Sequence, residues 1–273
     1  MKSSATAAAL ALRLLGSAVP FVGALHAQAG PDTAFLEELT WTEVRARIDT
    51  GTTTIIVPTA GTEQNGPHMV LGKHKFIVNH ASNLIARELG NALVAPVVTY
   101  VPEGSVERIA EHARYNGTIT LPNEHYMRLL EYAARSLAMG GFTDIVFIGD
   151  SGGNQGGMRD VAAMLNEEWA RERARVHFVG DYYAASSQIN DWLLANYGHT
   201  AETIGGHAGI RDTSQLLYVA PQHIRTDKLA PLGGGEGMGV TGDPTLASAE
   251  KGRQGIQMKV DAAVKQIREL MGR

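Results

Sequence analysis

Apolar residues recur along the chain with two alternating periods. Short β-branched runs at Thr53 to Pro58, Leu93 to Val101, Thr143 to Ile148 and Arg175 to Gly180 read as buried strands. Between them the spacing changes to that of helices. Ile77, Ala81, Leu84, Ile85 and Leu89 mark one face of a helix over Phe76 to Glu88 that stops at Gly90. Met127, Leu130, Ala134 and Leu137 mark a second, capped by Asn123 and ended by Gly140-Gly141. Met158, Val161, Ala162, Leu165 and Trp169 mark a third, and further helices are expected at Ala184 to Asn196 and about Thr245 to Met271. Strand and helix in alternation predict an α/β domain with a largely parallel central sheet flanked by helices. No internal repeat and no shift in composition divides it.

The polar residues gather where strands give way to helices. Three such turns, at 61 to 74, 149 to 154 and 205 to 214, can meet at one edge of a parallel sheet, where open α/β sheets place ligands. They offer Glu63, His68, His74, Asp150, Ser151, His207 and Asp212. Two to four of these would suffice for a hydrolytic zinc or manganese ion, which takes nitrogen and oxygen ligands and lowers the pKa of a bound water to about 7. Plainer roles are open to the same residues. Glu63 could cap a helix, His68 could orient a turn, and Gly152-Gly153 could cradle an anion through backbone N–H groups. His112, His125, His177, His199 and His223 read as surface or packing residues. Gly149-x-Ser151-x-Gly153 also matches the nucleophile elbow of serine hydrolases, with Asp181 or Asp212 and His199, His207 or His223 as conceivable partners.

Composition narrows the classes. With 273 residues, 44% of them hydrophobic, the chain can bury a full core. It contains no cysteine, so thiolate catalysis, disulfides and Cys-ligated metals are out. Residues 1–29 have the form of an export signal: Lys2 and Arg13, an apolar stretch from Leu14 to Leu25, and the small-x-small site Ala27-Gln28-Ala29. That leaves a domain at 30–273 in the periplasm or outside the cell, with no membrane association after cleavage. The formal charge is −4, and losing Lys2 and Arg13 with no acidic residue makes it more negative. Nucleic acid is therefore not an expected partner.

At these same turns the chain resembles the creatininase (creatinine amidohydrolase) family. Gly61-Thr62-Glu63-Gln64-Asn65-Gly66-Pro67-His68 is similar to the family's G-S-x-E-Q-H-G-P-H turn, and Glu111-His112 with Asn116-Gly117-Thr118-Ile119 to its E-H…P-G-T-I segment. Gly152-Gly153-Asn154, Gly206-His207-Ala208-Gly209 with Asp212-Thr213-Ser214, and Gly239 to Pro244 with Ala249-Glu250-Lys251-Gly252 continue the match in order. The resemblance implies hydrolysis of a non-peptide C–N bond in a small, often cyclic amide, a dinuclear metal centre and a hexameric homo-oligomer.

The family's ligand positions fall on Glu63, Asn65, His74, Ser151 and Gly153, and only Glu63 keeps the family's residue. A bridging aspartate has two oxygens for two cations, whereas His74 in its place has one nitrogen for one. The expectation is thus a single zinc or manganese ion on Glu63, His74 and Asp150. His207 and Asp212 take the catalytic places, and Asn65, His68, Ser105, Ser151 and Asn154 line the substrate. The competing expectation is a small-molecule-binding protein that kept the fold and lost the metals.

Overall fold

The computed structural model describes residues 31–108 and 111–272; the expected export segment at 1–29 lies outside them. Four strands, β1 (Thr54–Thr59), β2 (Ala92–Val94), β3 (Asp144–Gly149) and β4 (Arg175–Phe178), form a parallel sheet in the order β2-β1-β3-β4. The helices are α1 (Trp41–Asp49), α2 (Lys73–Leu89), α3 (Asn123–Met139), α4 (Gln155–Glu168), α5 (Asp181–Tyr197), α6 (Ala201–Ile204), α7 (Ile210–Val219) and α8 (Ala249–Leu270).

The two-residue period of the strands sorts the core into two layers. Ile56, Val146 and Ile148 face α2 and α8, packing against Ile77, Val78, Ile85, Ile256, Val260 and Ile267. Ile55, Val57, Ile145 and Phe147 face the other way, onto Tyr126, Leu130, Met158, Val161 and Leu165 of α3 and α4. Every residue of β1 is buried, which is why its middle, Ile55-Ile56-Val57, reads as a continuous apolar run without alternation. Helices α7 and α8 approach so closely that a Cβ on Gly252 would stand 1.8 Å from the Ser214 carbonyl oxygen.

Several boundaries differ from those the sequence predicts. The strand expected through Val101 is regular only over Ala92–Val94, because Pro96 has no N–H for the ladder; the chain rejoins β1 at a single bridge from Val98 to Thr59. Asn123 is the first residue of α3 rather than its cap, and Pro122 holds the cap position without a side-chain bond. The last helix starts at Ala249 behind Ser248, whose hydroxyl accepts the Lys251 N–H at 3.3 Å, while Pro244–Leu246 forms a separate 3-10 turn. Helix α7 begins inside the expected polar turn, at Ile210.

This topology fixes where chemistry can occur. From β1 the chain crosses through α2 to β2 on one side, while β3 lies on the other, so the strand order reverses between β1 and β3. The crevice outside the carboxyl ends of these two strands is the natural ligand site of such a sheet. The turn that carries Glu63 and the turn that carries Asp150 both open there.

Candidate active site

A cavity of about 360 Å³ sits at that strand edge. Its wall includes Glu63, Lys73, His74, Glu103, His112, Asp150, Ser151, His207, Arg211, Asp212 and Lys259. Charged groups this deep survive only when paired, and here the pairing is explicit. His74, in the first turn of α2, donates from Nε2 to Glu63 Oε1 at 2.7 Å and from Nδ1 to Asp150 Oδ2 at 2.8 Å. The other Asp150 oxygen accepts from Lys259 Nζ at 2.6 Å and from the Tyr182 hydroxyl at 3.0 Å. Lys73 Nζ donates to Asp212 Oδ2 at 2.9 Å and stands 4.0 Å from Glu63 Oε1.

Burial and the Lys73 charge both oppose a protonated His74, yet the hydrogen bonds to Asp150 and Glu63 outweigh them and lift its pKa to about 9. It is an imidazolium at neutral pH. Against the cost of burial, the Lys259 charge and the His74 bond hold Asp150 well below the usual carboxylate range, and the His74 bond and charge do the same for Glu63. Lys73 and Arg211 likewise keep the buried Asp212 ionised.

The expected metal set of Glu63, His74 and Asp150 is thus brought together, but its members are bonded to one another. In this arrangement both nitrogens of His74 face carboxylate oxygens, so a metal ion on this set would have to take the place of one of these hydrogen bonds. A second set of ligand atoms converges beside it: those of Glu63, His112 and His207 all lie within 4.8 Å of one another. Burial and the Lys73 charge lower the pKa of His207 to about 4, so this ring is neutral, as a ligand must be. Two imidazoles and one carboxylate form a donor set suited to zinc or manganese with positions left open.

The remaining candidates are distributed unevenly. Ser151 lines the cavity on ordinary extended backbone (φ −116°, ψ 148°), without the strained turn of a nucleophile elbow. Asp212 reaches the wall but is occupied by Lys73, by the Ala208 N–H at 3.0 Å and by Arg211 Nε at 3.2 Å. Asn65 is fully buried and ties its own turn, donating to the Glu63 carbonyl at 2.8 Å. His68 pairs with Thr213 Oγ1 at 3.0 Å, fastening the turn to α7. Asn154 is buried beside Gln155, with Nε2 of that neighbour 3.0 Å from its Oδ1. Ser105 Oγ accepts the Glu107 N–H at 3.1 Å, outside the cavity wall.

His112, Lys259, Lys73 and Glu103 line the cavity without having been among the expected site residues. His112, expected as a surface or packing residue, faces Glu63 Oε2 at 3.4 Å and lies 4.6 Å, ring to ring, from His207. Its Glu-His pair was the available signal. Lys259 falls on the face of α8 that buries Ile256, Val260 and Ala263, and a lysine in that register requires a buried partner. Lys73 stands four residues before Ile77 on the buried side of α2. Glu103 had no signal: a carboxyl whose Oε1 is buried without a partner, it fits because a Cβ on Gly61 would lie 1.9 Å from that oxygen. Burial and the Glu63 charge raise its pKa to about 7.

A doubly wound α/β domain with acidic and imidazole groups at its switch point has the architecture of many hydrolases. Residues 37–267 match the creatininase family, described as creatinine amidohydrolase, and the chain belongs to that family. The mycofactocin precursor peptide peptidase of Mycobacterium tuberculosis is 29% identical over 245 residues, covering 80% of this chain and 85% of that protein. A 3-dehydro-scyllo-inosose hydrolase of Thermotoga maritima is 23% identical over 281 residues, covering 89% and 85%. A crystal structure of creatininase superposes with a TM-score of 0.74 at 20% identity, covering 88% of this chain and 98% of that one, and confirms the fold.

Proposed function

We propose that the protein hydrolyses an amide C–N bond with one divalent ion held by Glu63, His112 and His207. The convergence of ligand atoms of those three side chains within 4.8 Å of one another in the cavity wall carries the reading. The creatininases of known structure include manganese and zinc forms, which accords with a divalent ion, zinc or manganese. Such an ion supplies Lewis acidity toward a carbonyl and lowers the pKa of water. The chain's own residues do the rest. The His74 imidazolium, backed by Asp150 and Lys259, keeps Glu63 ionised and aimed at the two imidazoles. Asp212 pairs with Lys73 in the cavity wall, and each keeps the other ionised.

The substrate suggested by the walls is acyclic. A second cavity of about 470 Å³, lined by Gln64, Arg114, Tyr115 and the glycine-rich stretch 235–241, meets the first at His112 and His207. A linear amide can place its acyl part in one and its amine part in the other; a small cyclic amide fills neither. The named activity of the mycobacterial relative, a peptide peptidase, points the same way. Export to the periplasm or beyond, and a homo-oligomer, belong to the same proposal.

Elemental analysis after exposure to zinc or manganese tests it. One equivalent is expected, lost in His112→Ala and His207→Ala and retained in His74→Ala. Uptake by the unaltered protein below about one-tenth equivalent would leave a small-molecule-binding protein of the same fold.

A further inference from the structure

Gln64 stands between the two imidazoles of the candidate site. Its Nε2 lies 3.0 Å from His112 Nδ1 and 3.0 Å from His207 Nε2, while its Oε1 accepts the Gly66 N–H at 2.9 Å. Its backbone oxygen is also 2.9 Å from His207 Nε2. An amide NH₂ can only donate, so the His112 nitrogen facing it must be the one with the lone pair. The proton of that ring is then on Nε2, directed at Glu63 Oε2, and it covers the nitrogen needed by a metal ion. His207 meets a conflict. Its Nε2 has a carbonyl acceptor and an amide donor at equal range and can satisfy only one.

Rotating the side-chain amide by half a turn removes both difficulties. Oε1 would then accept Nδ1–H from His112 and Nε2–H from His207, the latter shared with the backbone carbonyl. His112 Nε2 and His207 Nδ1 would turn lone pairs toward Glu63. No proton is gained or lost, since the His112 proton passes from one ring nitrogen to the other through solvent. The reversal deprives the Gly66 N–H of its acceptor. It takes place in a slot that only glycine leaves open, because a Cβ at Gly239 would lie 2.1 Å from Gln64 Oε1.

We infer that Gln64 is the positioning residue of the site, its amide selecting by its orientation whether the two imidazoles turn protons or lone pairs toward Glu63. The inference rests on the reading of Glu63, His112 and His207 as ligands. It predicts an unusual rank of variants. A carboxylate at this position can accept from Gly66 and from both imidazoles at once, with nothing to reverse, whereas an aliphatic side chain can accept from none.

Zinc affinity of the full-length protein, measured by calorimetry or competition with a chelating dye, is the first readout. Gln64→Leu is expected to bind about 10–100-fold more weakly than the unaltered protein, and Gln64→Glu to restore or exceed its affinity. The second readout is the tautomer of His112, from ¹⁵N shifts of histidine-labelled, chelator-treated protein: Nε2–H with Gln64, Nδ1–H in Gln64→Glu. The tautomer does not follow from added negative charge or from stability alone. Zinc binding that Gln64→Leu leaves unchanged, or a His112 already in the Nδ1–H form, overturns the inference alone. Failure of the unaltered protein to take up zinc overturns the ligand assignment and Gln64 with it.

Discussion

Lys259 Nζ lies 2.6 Å from Asp150 Oδ1, so the last helix of the chain ends its reach at the carboxyl end of the central strand. Both groups are almost completely shielded from water. An ion pair of this kind can cost as much to bury as it returns, but removing one partner strands the other. Lys259→Met, which keeps the length of the side chain, is expected to destabilise the protein by about 3 kcal/mol in urea titrations at pH 7. A loss below about 1 kcal/mol would show that His74 and Tyr182 hold Asp150 without it.

The doubly bonded His74 gives stability a pH dependence of definite sign. Its folded pKa, about 9, is above the 6.5 of the free side chain. Its contribution is therefore complete below pH 6.5 and disappears as pH rises through 9, a change on the order of 3 kcal/mol. Chelator-treated protein should lose stability across this window, and His74→Gln should flatten the curve there. An unchanged slope in the variant would mean that the ring is neutral in the folded protein.

Glu103 produces a slope of the same sign in an earlier window. Its carboxyl is raised from 4.5 to about 7, so the folded state prefers the protonated form and loses stability as pH climbs between those values. Glu103→Gln keeps the shape and removes the charge. It should be close to neutral at pH 4 and more stable than the unaltered protein by about 2–3 kcal/mol at pH 8. Equal effects at both pH values would show that the carboxylate has a compensating partner.

Much of this architecture could be read from period alone, and the reasons for the exceptions are physical. The buried strands and the apolar faces of α2, α4 and α8 declared themselves, because burial on one side imposes 2.0 or 3.6 spacing. Helix α1 did not: it buries none of its residues fully, packing only Val44 and Ile48 partly against the core, and a capping box between Thr40 and Glu43 closes its start. The strand-end turns do meet, since Glu63, His74, Asp150 and His207 all line one cavity. What sequence could not supply was who faces whom. That His74 points both nitrogens at carboxylates depends on α2 starting at Lys73, and that His112 joins Glu63 depends on the path of a long loop. Lys259 arrives from more than a hundred residues away in the chain, and no local pattern names its partner.

Metal binding gives the last test, because an ion that binds only the folded state stabilises it by mass action. At a free zinc concentration about 100-fold above the dissociation constant the gain is about 2.7 kcal/mol. For a domain of this size each kcal/mol moves the melting temperature by about 2–4 °C, so a rise of about 5–10 °C is expected, reversed by chelator. His112→Ala and His207→Ala should abolish the rise. His74→Ala should melt lower yet keep it, because Glu63, His112 and His207 remain to hold the ion. A rise that persists in His112→Ala but vanishes in His74→Ala would return the ion to Glu63, His74 and Asp150, and would require His74 to exchange one of its two carboxylate bonds for the metal.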